Sequence, residues 1–244
     1  LLILRRIRYG GDVFITWEPQ TKLKLPSGSW LWRRLLGGVL SKRFVRIVLL
    51  YVLTILILLI NIDEPPEKVF DEWHYVTAAE KILSEGRDPR FEHPPLVKYL
   101  ISLGMLLIGN KSIAWRLFIV PFSALAIPSI YYITYNITGS EKAALIATIF
   151  MITDPMYYSL SRLAMLDGPS LGFASVAMAL ALKYSGTRGR EPKWLYLAGV
   201  FYGLAIASKM VALVGIIVAL LVVPFPKGKH DVLKIVLPYW SYHQ

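Results

Sequence analysis

The chain alternates long apolar runs with short charged segments, and the lengths of those runs predict its elements. Phe44 to Ile62 is nineteen residues with one charge, Arg46. At about 1.5 Å per residue that run covers roughly 28 Å, enough for one hydrocarbon core. Leu117 to Thr138 is uncharged and long enough to cross again, and Gly139-Ser140-Glu141-Lys142 reads as the turn that follows. Ala143 to Ser161 crosses a third time, interrupted at Asp154-Pro155, and Gly168 to Leu182 a fourth. Trp194 to Pro226 carries Lys209 in its middle and basic flanks, which predicts two short helices turning near Ser208-Lys209. Pro95 to Gly109 is apolar but reaches only about 22 Å and contains Lys98, which suits a helix lying in the membrane interface.

These elements predict an all-α polytopic membrane protein. Residues 1–43 form a cytoplasmic N-terminal segment, within which 10–30 reads as a small strand and turn. Residues 44–226 form the membrane module, with spans near 44–62, 117–138, 143–161, 168–182, 194–208 and 210–226 and an external loop at 63–113. Residues 227–244 are a cytoplasmic tail or the start of a truncated seventh span. The first residue is Leu, which fits a piece of a longer product, and no cleavable signal is expected because the first apolar run is too long and too far in.

Charge sets the orientation. Residues 1–46 hold ten basic side chains against two acidic ones, so the positive-inside rule places the N-terminus in the cytoplasm. Residues 63–113 carry nine of the sixteen acidic residues and fall outside. The net charge of +11 is then a matter of cytoplasmic loops, and no nucleic-acid partner is expected. A hydrophobic content of 55% and a mean hydropathy of +0.52 exclude a disordered chain and argue against a soluble domain. The absence of cysteine removes disulfides, thiolate nucleophiles and cysteine-held metals, so chemistry must come from carboxylates, Arg and Lys.

Ionisable residues at membrane depth are costly and usually face a cavity. On this topology Arg116, Asp154, Arg162, Asp167 and Lys209 all fall near the external face. The segments Phe70-Asp71-Glu72-Trp73-His74-Tyr75 and Phe91-Glu92-His93-Pro94-Pro95-Leu96 lie there too. Asp71 and Glu72 begin a helix predicted to run to about Glu85 and stop at Gly86. Both residues suit plain capping. Adjacent helical residues point some 100° apart, so one carboxylate can act as base while the other holds local structure. Pairing with Asp154 and Asp167 would absorb two of the three cations, and a surplus cation suits a phosphate.

The order Asp71-Glu72, then His93-Pro94-Pro95-Leu96 with Lys98, then Arg116, then Ser161-Arg162 to Leu166-Asp167, then Ala207-Ser208-Lys209, resembles the protein O-mannosyltransferase family of membrane glycosyltransferases. The resemblance runs from about residue 45 to 225 and implies the C-type glycosyltransferase fold, a helical bundle with interfacial helices in the first external loop. It further implies a polyprenyl (dolichyl) phosphate mannose donor and transfer to a Ser or Thr hydroxyl at the extracytoplasmic face. Asp71 would be the catalytic base beside Glu72, with His93, Lys98, Arg116, Arg162, Asp167 and Lys209 around the substrate or lipid phosphate. No cofactor is required, since one or two cations neutralise the leaving phosphate; a divalent metal stays open. Val97 stands where the family usually has Gly, and Gly168-Pro169 follow the Leu-Asp pair. The implied family has more spans than these, so the expected partners include a second subunit or segment supplying the rest, beside the bilayer and a protein or lipid acceptor. An aminoarabinose-transferase-like enzyme, a non-catalytic assembly subunit and a transporter are the alternatives; His93, where the first of these usually has Lys, favours the mannosyltransferase. The absence of cysteine and the compact first loop favour a prokaryotic plasma membrane over the endoplasmic reticulum.

Overall fold

The structure, a computed structural model, describes residues 2–9, 12–19, 42–187 and 190–222. The chain divides into two compact units, residues 1–44 and 45–244. In the first unit β1 (Leu2–Tyr9) pairs antiparallel with β2 (Asp12–Pro19), in register from Leu2 opposite Pro19 to Tyr9 opposite Asp12. The all-α expectation is corrected to that extent: β2 falls within the segment where a strand was expected, and β1 precedes it. The proposed tail, 227–244, lies outside the described residues.

The second unit is helical. Helix α1 (Lys42–Leu59) begins in the last residues of the first unit and continues into the second, and a loop of turns and bends leads to α2 (Glu72–Glu85). Helix α2 ends where the sequence places a stop, because Gly86 adopts the left-handed region at φ 70° and its N–H closes the last turn on the Ile82 carbonyl. Helix α3 (Leu96–Ile108) follows the prolines, and α4 (Ser112–Leu117), α5 (Val120–Ser123) and α6 (Ala126–Thr138) form a broken run. Helices α3 and α4 approach so closely at Gly104 that an added Cβ would lie 2.0 Å from the Ala114 carbonyl oxygen.

The turn at 139–142 joins α6 to α7 (Glu141–Ile152), with the Ser140 hydroxyl accepting from the Ala143 N–H as an N-cap. Helix α8 (Pro155–Arg162) bends away from α7 by 63° at Asp154-Pro155, and the Asp154 carboxylate caps it through the Tyr157 N–H at 2.6 Å. Helix α9 (Asp167–Gly186) packs against α6 and α10 (Lys193–Ser208). Lys209, in extended backbone, separates α10 from a single 3₁₀ turn and α11 (Leu213–Val222).

By length and composition, among the described residues, the run Ser112–Thr138 can cross a bilayer, and the bent pair α7 and α8 makes a second if counted as one. Helix α1 matches the first predicted run in position, but Lys42, Arg43 and Arg46 all fall within its eighteen residues. Helices α3 and α10 are apolar but shorter than a span. The core beneath the first loop gathers Tyr75, Val76 and Ala79 of α2, Val97, Ile101 and Met105 of α3, Trp115 of α4 and the link Leu163 to Leu166.

Candidate active site

The deepest ionic group is a pair between neighbouring layers. Arg116 on α4 and Glu72 at the start of α2 are both 0% exposed. The Arg116 Nε and Nη2 donate to the two Glu72 carboxylate oxygens at 2.8 Å each. Its other protons go to the carbonyls of Ile62 (3.1 Å), Pro65 (2.8 Å) and Glu67 (3.2 Å), so all five guanidinium donors are engaged. Glu72 also accepts from the Ala164 N–H at 2.6 Å and the Val69 N–H at 3.1 Å. This knot ties the 62–69 loop, α2, α4 and the 163–166 link together. Arg116, expected beside a lipid phosphate, keeps no free donor for one.

Lys98 is likewise 0% exposed, and its ammonium lies under the loop that precedes α3. It pairs with the Asp88 carboxylate and donates to the carbonyls of Arg90 at 2.6 Å and His93 at 2.8 Å. All three protons are thereby engaged, which makes Lys98 the pin of the His-Pro-Pro loop and leaves it no free donor. Above it the Arg90 Nη2 donates to the His74 Nδ1 at 2.9 Å. The His93 ring meets Tyr75 edge-on, with centroids 5.7 Å apart.

Asp71 stands in the opposite setting from Glu72. It occupies the N-cap position of α2, yet its side chain makes no capping bond and it is exposed to solvent. The preceding residue, Phe70, is held at φ 50°, a left-handed conformation that a side chain of that size rarely adopts. One turn on, Tyr75 is 2% exposed. Its hydroxyl is pushed up to about 12 by burial, then by the negative charge of Asp71 and Asp167, with the polar approach of Asp71 and the charge of Glu92 adding to it. Both carboxylates therefore sit near one phenol. Asp167, at the start of α9, accepts from the Lys209 Nζ at 2.6 Å, and that pair is about one-quarter exposed on each side.

Arg162 closes α8. Its Nη1 donates to the Tyr158 hydroxyl at 2.7 Å, and its Nη2 reaches the carbonyls of Ile60, at 2.7 Å, and Asn61. The cation thus satisfies carbonyls just beyond the C-terminus of α1, where the helix dipole favours positive charge. The structure brings Asp71, His93, Asp167 and Lys209 around Tyr75, sets Glu72, Lys98 and Arg116 behind them, and places Arg162 with α1. Tyr75 carries no assignment in the sequence reading; the signal available was its spacing of four from Asp71, which puts both on one helix face. Among the described residues no group of three or more His, Asp or Glu is placed to hold a metal ion.

Comparison with known proteins follows the same residues. The sequence model described as dolichyl-phosphate-mannose-protein mannosyltransferase matches residues 48–115 and 111–226. The chain is 30% identical over 175 residues to the polyprenol-phosphate-mannose–protein mannosyltransferase of Corynebacterium glutamicum, covering 58% of this chain and 34% of that protein. It is 28% identical over 198 residues to dolichyl-phosphate-mannose–protein mannosyltransferase 1 of Schizosaccharomyces pombe, covering 70% of this chain and 22% of that protein. The chain thus spans about a third or less of the length of these relatives. In fold it is similar to the Saccharomyces cerevisiae protein O-mannosyltransferase Pmt1-Pmt2 complex bound to the sugar donor, with a TM-score of 0.65 at 22% identity over 96% of this chain and 34% of that one. The helical bundle and the extent of the family match lead to one assignment: this chain belongs to the dolichyl-phosphate-mannose-protein mannosyltransferase family.

Proposed function

We propose that this chain carries the base and the donor-phosphate site of a membrane mannosyltransferase that moves mannose from a polyprenyl or dolichyl phosphate to a Ser or Thr hydroxyl of a protein. The observation that carries the reading is the contrast at the start of α2: Glu72 is locked to Arg116, whereas Asp71 is exposed, uncapped and beside a buried phenol. A general base needs a carboxylate with free lone pairs within reach of the acceptor, and Asp71 is the one of the two that has them.

The step is a single inverting displacement. The acceptor oxygen attacks the anomeric carbon as its proton passes to Asp71. The bond from that carbon to the phosphate oxygen breaks, and its electron pair leaves with the lipid phosphate. Lys209 has one proton on Asp167 and two that find no acceptor among the described residues, so it is the cation assigned to the leaving phosphate. Arg162 lends a further positive charge near the end of α1. His93 lines the acceptor side through its contact with Tyr75.

The topology proposed with this reading has six spans, a cytoplasmic N-terminus and the site on the extracytoplasmic face, in a prokaryotic plasma membrane. Helices α2 and α3 lie along the interface, and further spans of the same product or of a second subunit complete the enzyme. Support comes from the basic first segment, the acidic loop and the family's presence in bacteria.

The test is transfer of radiolabelled mannose from polyprenyl phosphate mannose to a Ser/Thr-rich peptide in proteoliposomes, wild type against Asp71→Asn. The expected result is transfer by the wild type, and donor binding without transfer by the variant. Equal transfer by both, or donor binding by neither, overturns the reading.

A further inference from the structure

We propose that Tyr75 is a positioning residue: its hydroxyl donates a hydrogen bond to the Asp71 carboxylate and aims it, coupling the His93 loop to the base. The inference rests on the functional reading given above for Asp71. Three features of the fold carry it. Asp71 stands at the N-cap but makes no bond to the backbone N–H groups there, so nothing in the main chain fixes its carboxylate. Tyr75 lies one turn further along the same face, which brings its side chain alongside that of Asp71. The phenol is itself fixed, since Tyr75 is 2% exposed, packs in the core with Val76, Ile101 and Trp115, and meets the His93 ring edge-on at 5.7 Å.

The Tyr75 ring is buried, and the acid one turn before it on the same face, Asp71, is the partner within its reach. The raised titration of Tyr75, driven by burial and then by the charge of Asp71 and Asp167, agrees with a carboxylate close to the phenol. The arrangement also gives a physical role to residues that touch no substrate. Lys98 pins the carbonyl of His93, His93 braces Tyr75, and Tyr75 aims Asp71. A bond to an ionised acceptor is among the stronger hydrogen bonds, and its loss leaves the base free to rotate among rotamers.

The experiment uses the whole chain in proteoliposomes with two replacements at one site, Tyr75→Phe and 3-fluorotyrosine. Tyr75→Phe keeps the ring and its contact with His93, and is expected to lower kcat roughly ten- to a hundredfold with the donor KM nearly unchanged. The fluorinated phenol, a stronger donor, is expected to hold kcat at the wild-type level. Its ¹⁹F resonance supplies a readout independent of turnover: in the Asp71→Asn background the phenol is expected to titrate at lower pH, because the neighbouring negative charge is gone. An unchanged kcat in Tyr75→Phe, or a ¹⁹F titration unmoved by Asp71→Asn, overturns the proposal. A wild type that transfers no mannose, while the ¹⁹F titration of the fluorinated chain moves on Asp71→Asn, sustains the coupling and instead overturns the assigned reaction.

Discussion

Asp71 and Glu72 are adjacent in sequence, chemically almost identical, and opposite in circumstance. Glu72 lies in the dry core with four donors on its two oxygens, two of them from Arg116 and two from backbone N–H groups. Asp71 lies at the surface with its capping position unused. A buried charge persists only when it is paired and fully hydrogen-bonded, which makes Glu72 a structural anchor. An acid that must take and return a proton needs the opposite setting. The difference teaches that a carboxylate's role is decided by what the surrounding backbone offers it, and a 100° step along a helix is enough to change that.

The largest expected effect comes from breaking the anchor. Glu72→Gln keeps the shape of the side chain but leaves the Arg116 charge buried without its counter-ion, a loss of about 3–5 kcal/mol. Thermal unfolding in detergent should fall steeply, and transfer should vanish together with the folded protein. Asp71→Asn is the complementary break. Stability is expected to stay within about 0.5 kcal/mol, as for other exposed positions, while kcat falls on the order of 10²–10⁴-fold. If the two variants exchanged these signatures, the division of labour between the acids would be reversed.

The two lysines extend the comparison at smaller amplitude. Lys98 is sealed beneath the 88–93 loop, whereas Lys209 is about one-quarter exposed and bound by a single acid. Lys98→Met leaves Asp88 and two carbonyls without their donor, costing about 1–3 kcal/mol of stability. Faster proteolysis of residues 86–95 would report the released loop. Lys209→Met should leave the melting temperature almost unchanged and raise the donor KM about tenfold, the scale of one charge-assisted contact. A large loss of stability in Lys209→Met would move it into the anchoring class.

How much of this was legible beforehand depends on sequence distance. Helix α2, its stop at Gly86, the break at Asp154-Pro155 and the turn at Lys209 all follow from local signals, namely apolar spacing, a glycine, a proline and an isolated charge. The convergence of Asp71, His93, Asp167 and Lys209 was visible as a set of charges near one face. What the sequence could not show is which of those charges were already satisfied. Arg116 is occupied by carbonyls about fifty positions earlier, and Glu72 by the N–H of Ala164, ninety-two positions later. Backbone groups carry no residue-specific pattern, so a cation bound by carbonyls and one open to a phosphate read alike.

The mildest test lies at the far end of α2, where Glu80 faces Lys68 and Asn110. Burial pushes this carboxyl up, but the hydrogen bonds from the Lys68 ammonium at 2.8 Å and the Asn110 amide at 3.0 Å outweigh it and hold the group below its ordinary value. A folded-state value lowered in this way gives stability that is present above the unfolded value and lost as pH falls through the folded one. Because the side chain is about one-third exposed, solvent screening limits the contribution to under about 1 kcal/mol. Glu80→Gln should therefore melt slightly below the wild type at pH 7, and the gap should close as acid protonates Glu80, below about pH 4.5. Glu80 would then stand between the two neighbours at the other end of its helix, paired like Glu72 but wet like Asp71. A gap that persisted unchanged into acid would mean that Glu80 acts through neutral hydrogen bonding to Lys68 and Asn110 rather than through charge.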